Sequence, residues 1–223
     1  MKKITFFFTI LLTVFTFALA EDAPTVIVDA PAQSIPDSVI ADIVAAHPEA
    51  KSIHIYAYGQ SDSSATTDNT VAPLGLFTYS YSNITKHCAQ HHGRFRTDFI
   101  ISVARGSETT LSTEYSTTVG VGVSGSVTSG TDSSAPMPTS GTLGLNTSCS
   151  VTCKISTSRT FRGPSDDSEY NSRSFYVAYY GNIGGWSCTA TRSIPASTVQ
   201  MSGRYVEPTE YAEYSVDNKI THK

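Results

Sequence analysis

The 223 residues include 15 basic and 19 acidic side chains, a formal charge of −4, and only 15% of the chain is charged. An acidic chain offers no basic face to a phosphate backbone, which excludes nucleic acid as the expected partner. Its Ser, Thr, Gly and Tyr content suits the wet faces of sheets rather than exposed helices, and roughly 200 residues suffice for one sizeable core.

In chain order, residues 1–20 read as a cleavable secretory signal. Met1-Lys2-Lys3 is a basic start, residues 4–19 are apolar with threonines, and Phe17-Ala18-Leu19-Ala20 ends small-x-small before Glu21. That apolar run is short for a membrane span. Cleavage after Ala20 leaves 223−20 = 203 residues and removes Lys2 and Lys3, so the expected exported, extracellular protein has a formal charge of −6. Residues 21–33 form a Pro- and Ala-rich strap around Val26-Ile27-Val28. Ser34 before Pro36 and Asp37 predicts a helix start, and Val39, Ile40, Ile43 and Val44 continue it over 35–46 until Pro48. Ile53, Ile55 and Ala57 alternate with His54, Tyr56 and Tyr58 as a half-buried strand. A polar loop is expected at 59–69, a strand at 76–82, and a central strand at 99–104.

The strongest pattern comes next. In residues 108–128 and 142–162 the odd positions, among them Val119, Val121, Val123, Leu143, Leu145 and Val151, are apolar or β-forming, while the even positions are mostly Ser, Thr and Gly. Unbroken period two marks strands with one buried face, and at about 3.3 Å per residue each arm reaches roughly 60 Å. A long two-stranded ribbon over 108–162 is predicted, joined by the low-complexity segment 129–140. After Gly163-Pro164 come a polar turn, strands at 173–180, 186–191 and 199–206 with a glycine-rich turn at 181–185, and a polar tail at 207–223 expected to fray. The expected fold is mainly β: an elongated antiparallel sheet or sandwich with one short N-terminal helix, in a single domain over 21–206.

Few residues announce chemistry. Four cysteines in an exported chain predict two disulfides. Cys149 and Cys153 lie four apart on one strand, about 13 Å, too far to bond each other, so each is expected to pair with Cys88 or Cys188. The rival for this region is a metal site at His87, His91 and His92 beside Cys88. Neither a nucleophile elbow nor a zinc-protease motif is present, and Asp166, Asp167 and Glu169 read as a solvated turn, so no catalytic residue and no cofactor is expected. Tyr176, Tyr180 and Trp186 are candidates for an aromatic platform that would bind a glycan. Asn83 and Asn146 stand in glycosylation sequons.

Two family resemblances attach to these segments. Ile101-Ser102-Val103-Ala104-Arg105-Gly106, residues 109–118, Gly163-Pro164 and Ser172-Arg173-Ser174-Phe175-Tyr176 resemble small secreted β-rich proteins of Gram-positive bacteria. That resemblance implies export and a β-rich build. The alternating arms also resemble the insertion hairpins of aerolysin-type pore-forming toxins, which implies an oligomeric barrel led by 129–140. The leading expectation is a secreted, non-enzymatic protein that binds a glycan, a cell surface or a membrane. The alternative is a pore former with 108–162 as its insertion hairpin, opposed by disulfides that would tether the second arm.

Overall fold

The structure is a computed structural model that describes residues 24–29, 35–61 and 78–218. The expected signal, Ser34 and most of the 59–69 loop lie outside the described residues. In chain order the elements are β1 (Thr25–Val28), α1 (Asp37–Ala46), β2 (Ser52–Gln60), β3 (Tyr79–Ala104), β4 (Glu108–Thr110), β5 (Tyr115–Gly120), β6 (Gly122–Ser129), β7 (Ser150–Ile155), β8 (Thr160–Arg162), β9 (Ser172–Arg192) and β10 (Ser197–Asn218).

Three very long strands, β3, β9 and β10, pair antiparallel with β9 in the middle, and β4 to β8 intervene in the chain between β3 and β9. Strand β10 has two different outer partners. Its second half, from Glu210 to Val216, pairs with β2, which in turn takes β1 in parallel; its first half, from Gln200 to Val206, pairs with β6. The molecule is therefore mainly β, as expected, but it is a mixed sheet with added ladders rather than two stacked antiparallel sheets.

Helix α1 lies close to its expected place. Asp37 occupies the first turn, where a carboxylate complements the helix dipole, and Val39 and Ile43 are fully buried with Ile53, Ile55, Ala178, Tyr180, Ala212 and Tyr214. Consecutive β9 side chains then point to opposite faces. Val177 and Tyr179 join a second core with Val151, Cys153, Ile155 and Phe161, and farther along the strand Trp186, Cys188 and Ala190 join a third with Leu143, Leu145, Met201 and Tyr205.

Several expectations need correction. The predicted strands at 173–180 and 186–191 are one strand, and the glycines between them are not a turn. A Cβ on Gly184 would stand 2.3 Å from the His87 carbonyl and 2.5 Å from the Tyr205 ring, so the residue is small because two neighbours press on it. The tail at 207–223 does not fray over its described part. It is the half of β10 flanked by β2 and β9, with Ala212, Tyr214 and Val216 buried. The 99–104 strand is the end of the edge strand β3, paired with β9 alone among the described residues. The histidine region is also strand, broken by bulges at which Asn83 and His92 take positive φ of 51° and 52°.

The long ribbon is paired only near its base. Strand β4 pairs with β8 and β5 with β7, but beyond Gly120 the arms part: β6 joins β10, while residues 139–149 fold as turns that bury Leu143 and Leu145. Sequence alternation specified the faces of this segment and left its partner open.

Candidate functional site: the divided arm and its charged base

The two ladders at the base share one register. Glu108 pairs with Arg162 and Tyr115 with Ile155, so seven steps along one arm match seven along the other. The base is fastened by charge. Arg159, between β7 and β8, donates from Nη1 to Glu213 of β10 at 2.6 Å, and its guanidinium lies over the rings of Tyr56 and Phe161, 5.6 and 5.2 Å from their centroids. Glu213 is 2% exposed, and its Oε1 is buried without a hydrogen-bond partner. Burial pushes its carboxyl above the ordinary range, against the opposing pull of Arg159. Tyr115 donates to Asp98 at 2.6 Å and lies 2.9 Å from the Tyr179 hydroxyl. Burial would raise the Asp98 pKa, but hydrogen bonds from Arg96 and Tyr115 outweigh it and hold the carboxyl below its usual value.

Farther along β10 the same device recurs. Asp217 receives both Nε and Nη2 of Arg173, at 2.6 and 2.9 Å, and the Ser52 hydroxyl at 3.1 Å. Glu210, 2% exposed, accepts from His92 of β3 and from Tyr58 at 3.1 Å. Arg94 of β3 meets Asp42 of α1 at 3.2 Å. Reasoning from sequence missed these buried acids because they lower the apparent hydropathy of 207–218; the alternation of Tyr214 and Val216 with Glu213, Ser215 and Asp217 was the available signal.

The distal arm is seated differently. β6 lies against a glycine path: a Cβ on Gly125 would fall 2.5 Å from the Ser202 carbonyl and 2.6 Å from the Trp186 ring, and one on Gly203 would fall 1.9 Å from the Ser124 carbonyl. Trp186 donates to the Ser124 carbonyl at 3.1 Å, Lys86 to the Gly144 carbonyl at 2.6 Å, and the Asn146 amide to Glu207 at 3.0 Å. By contrast, Gly120 and Gly122, flanking the point where β6 departs, have open space where a Cβ would go.

The predicted site residues are dispersed. Tyr180 and Trp186 are buried in separate cores and Tyr176 is half-buried in the first of these, so the three form no exposed platform. The four cysteines are free thiols, which overturns the expected disulfides. The physical reason is placement. Cys153 faces the core around Tyr179 and Cys188 the core around Trp186, while Cys88 pairs with Gly184, four positions, about 13 Å, from Cys188 along β9. Burial pushes the Cys153 thiol up to about 12 and raises those of Cys149 and Cys188. His87 is exposed, His91 contacts Asn182 and Cys88, and His92 serves Glu210; among the described residues no three ligands converge for a metal. Asn83 and Asn146 are exposed, and the Asp166, Asp167 and Glu169 turn is exposed as expected. No helix among the described residues is long and apolar enough to cross a membrane.

Comparison with protein-family models, with curated proteins and with solved structures produced no match to any of them.

Proposed function

We propose that this is a secreted, non-enzymatic protein that acts on cell surfaces, and that the segment 108–162 is a β-hairpin held apart in the soluble form and able to zip and enter a membrane. The observation that carries this reading is the shared register of the two base ladders. Extended outward unchanged, it sets Val121 opposite Cys149, Val123 opposite Thr147, Gly125 opposite Leu145 and Val127 opposite Leu143. One face of the zipped ribbon would then carry Val119, Val121, Val123, Val127, Leu143, Leu145 and Val151. The other would carry Ser116, Thr118, Ser124, Ser126, Thr128, Asn146, Ser148 and Thr152. An apolar face toward lipid and a hydroxyl face toward water is what a barrel strand requires, and about 10 residues per strand suffice to span.

The same segment thus has two possible pairings: β6 with β10, or β6 with 142–149. Such an element is bistable in principle, and its populations follow whichever environment pairs or buries it better. Leaving β10 exposes Leu143 and Leu145 at a cost on the order of 2 kcal/mol each, so release in water is disfavoured and needs lipid or neighbouring copies to offset it. Free thiols remove the tether that argued against release. A second reading, a binding protein whose arm stays down, draws on the burial of those two leucines.

The test is dye release from vesicles made with whole-cell lipid and glycolipid extracts. Ser126 and Ser202 are cross-strand partners, so Ser126→Cys with Ser202→Cys should lock the arm when oxidised. Leakage by the parent protein, its loss in the locked form and its return on reduction are expected. Equal leakage from the locked form, or none from the parent, would remove the insertion reading.

A further inference from the structure

Three of the eight arginines of this acidic chain, Arg159, Arg162 and Arg173, converge on one cleft. The cleft, of about 300 Å³, lies between the base of the arm and the first two strands, with Phe161 and Phe175 as its floor. That volume is at the small end of ligand sites and suits one ring-sized unit.

Its electrostatics are layered. The carboxylates that orient Arg159 and Arg173, Glu213 and Asp217, are buried on β10 and do not line the cleft. They fix two guanidinium planes from behind while those arginines still line the cavity. Arg162 stands at the mouth, 78% exposed, and meets the exposed Glu108 at 3.3 Å, a surface pair worth little and readily exchanged. The wall carries His54 stacked on Tyr56, rings 6.2 Å apart and 13° from parallel. Two further groups give the cleft its selectivity. Thr160 offers a hydroxyl, and Asp29 is the one acid in the lining among the described residues, an acceptor that a ligand made only of oxyanions would find repulsive.

We propose that this cleft binds an acidic saccharide unit, a sugar ring bearing a single carboxylate or sulfate together with free hydroxyls. Arg162 and the guanidinium edges of Arg159 and Arg173 not engaged by Glu213 and Asp217 match the oxyanion in planar, charge-assisted geometry, Asp29 accepts from ring hydroxyls, and the edge of the His54–Tyr56 stack gives the apolar C–H groups of the sugar a side-on contact. A multiply phosphorylated headgroup satisfies the arginines and not Asp29, and a neutral sugar satisfies Asp29 and not the arginines. Burial lowers the His54 pKa, an effect reinforced by Arg173, so at neutral pH the ring is uncharged and offers one donor and one acceptor. This site deepens the surface-binding part of the function proposed above and does not require the arm to move.

The experiment is a titration of isotope-labelled full-length protein, followed by amide shifts, with four probes: the methyl glycosides of N-acetylneuraminic acid, glucuronic acid and galactose, and inositol trisphosphate. The two acidic sugars are expected to bind and to shift the amides of His54, Thr160 and Arg162, whereas galactose should not. Arg162→Gln and Asp29→Asn should each weaken acidic-sugar binding at least fivefold. Both changes are at surface positions, so the fold should persist, which the unchanged remainder of the spectrum checks. The oxidised Ser126→Cys, Ser202→Cys protein should bind the sugars as the parent does, which separates failure of this site from failure of the insertion reading. Absence of binding by both acidic sugars, equal binding of galactose, unchanged affinity in Arg162→Gln, or inositol trisphosphate that binds the parent protein more tightly than either acidic sugar would each overturn the assignment.

Discussion

The two halves of β10 are held by different forces. Its second half, between β2 and β9, carries Glu210, Glu213 and Asp217, all buried and each matched to a cation or a hydroxyl on another element. Its first half, between β6 and β9, is held along β6 by apolar contacts, a glycine path and neutral hydrogen bonds such as Trp186 to Ser124, and the charged contacts of the arm lie beyond the end of β6: Asp132 pairs with Arg192 of β9 at 2.9 Å, and the Asn146 amide donates to Glu207. Separating a buried ion pair strands a charge at a cost of several kcal/mol, whereas peeling away a neutral strand exposes surface and main-chain groups that water can satisfy. The difference assigns rigidity to the half that carries three buried acids and makes the β6 side the more readily opened, although opening must also part the largely buried Asp132–Arg192 pair.

The largest expected effect lies in the rigid half. Tyr180 is fully buried, and Tyr180→Ala should cost about 3–5 kcal/mol in urea denaturation and lower the hydrogen-exchange protection of both halves together. Protection lost only near residue 180 would mean that the ion-paired half is not the unit on which the rest depends.

A smaller and more local effect is expected at the glycine path. Gly125→Ala puts a methyl group against the Ser202 carbonyl and Trp186, and should cost about 1–3 kcal/mol. Exchange should quicken in 122–129 and not in 210–216, and vesicle leakage should accelerate, because in the zipped hairpin position 125 belongs to the outward face. Slower leakage would contradict the division of roles.

Protonation offers a third way to sharpen the contrast. Glu213 holds its proton more tightly folded than unfolded, first because of burial. Its contribution to stability is therefore fully present below the ordinary Glu value of about 4.3 and is lost as pH rises through its higher folded pKa. Glu213→Gln should flatten the decline of stability above that value, read as denaturation midpoints across the acid-to-neutral range. A steeper decline would show that the Arg159 contact, rather than burial, dominates.

Thiol alkylation gives the mildest test. Cys188 lies under the arm and Cys153 in the core at the ribbon base, so Cys188 should react before Cys153 under native conditions, as followed by mass spectrometry. Cys88, half-buried rather than buried, should react before both. Reaction of Cys153 ahead of Cys188 would reverse the order of opening.

Much of the fold was legible in the chain. The helix at 35–46 followed from Val39, Ile40, Ile43 and Val44 at helical spacing, and the strand at 53–58 and the faces of the arms followed from period two. Continuity of the long strands was not legible, because Gly181 to Gly185 and the acids after Val206 look like a turn and a polar tail until β3, β2 and β10 are placed beside them. The charged base was equally hidden: Arg159 and Glu213 are 54 residues apart, and nothing local in either segment selects the other.

By itself the sequence determined which residues face the same way, since the side-chain period of a strand is a local property of the backbone. Only the tertiary structure decided which strand each face would meet. Alternation is satisfied equally by β6 on β10 and by β6 on 142–149, and the choice rests on packing between distant segments: the Gly125 and Gly203 approach, the Trp186 contact and the cover supplied by Leu143 and Leu145.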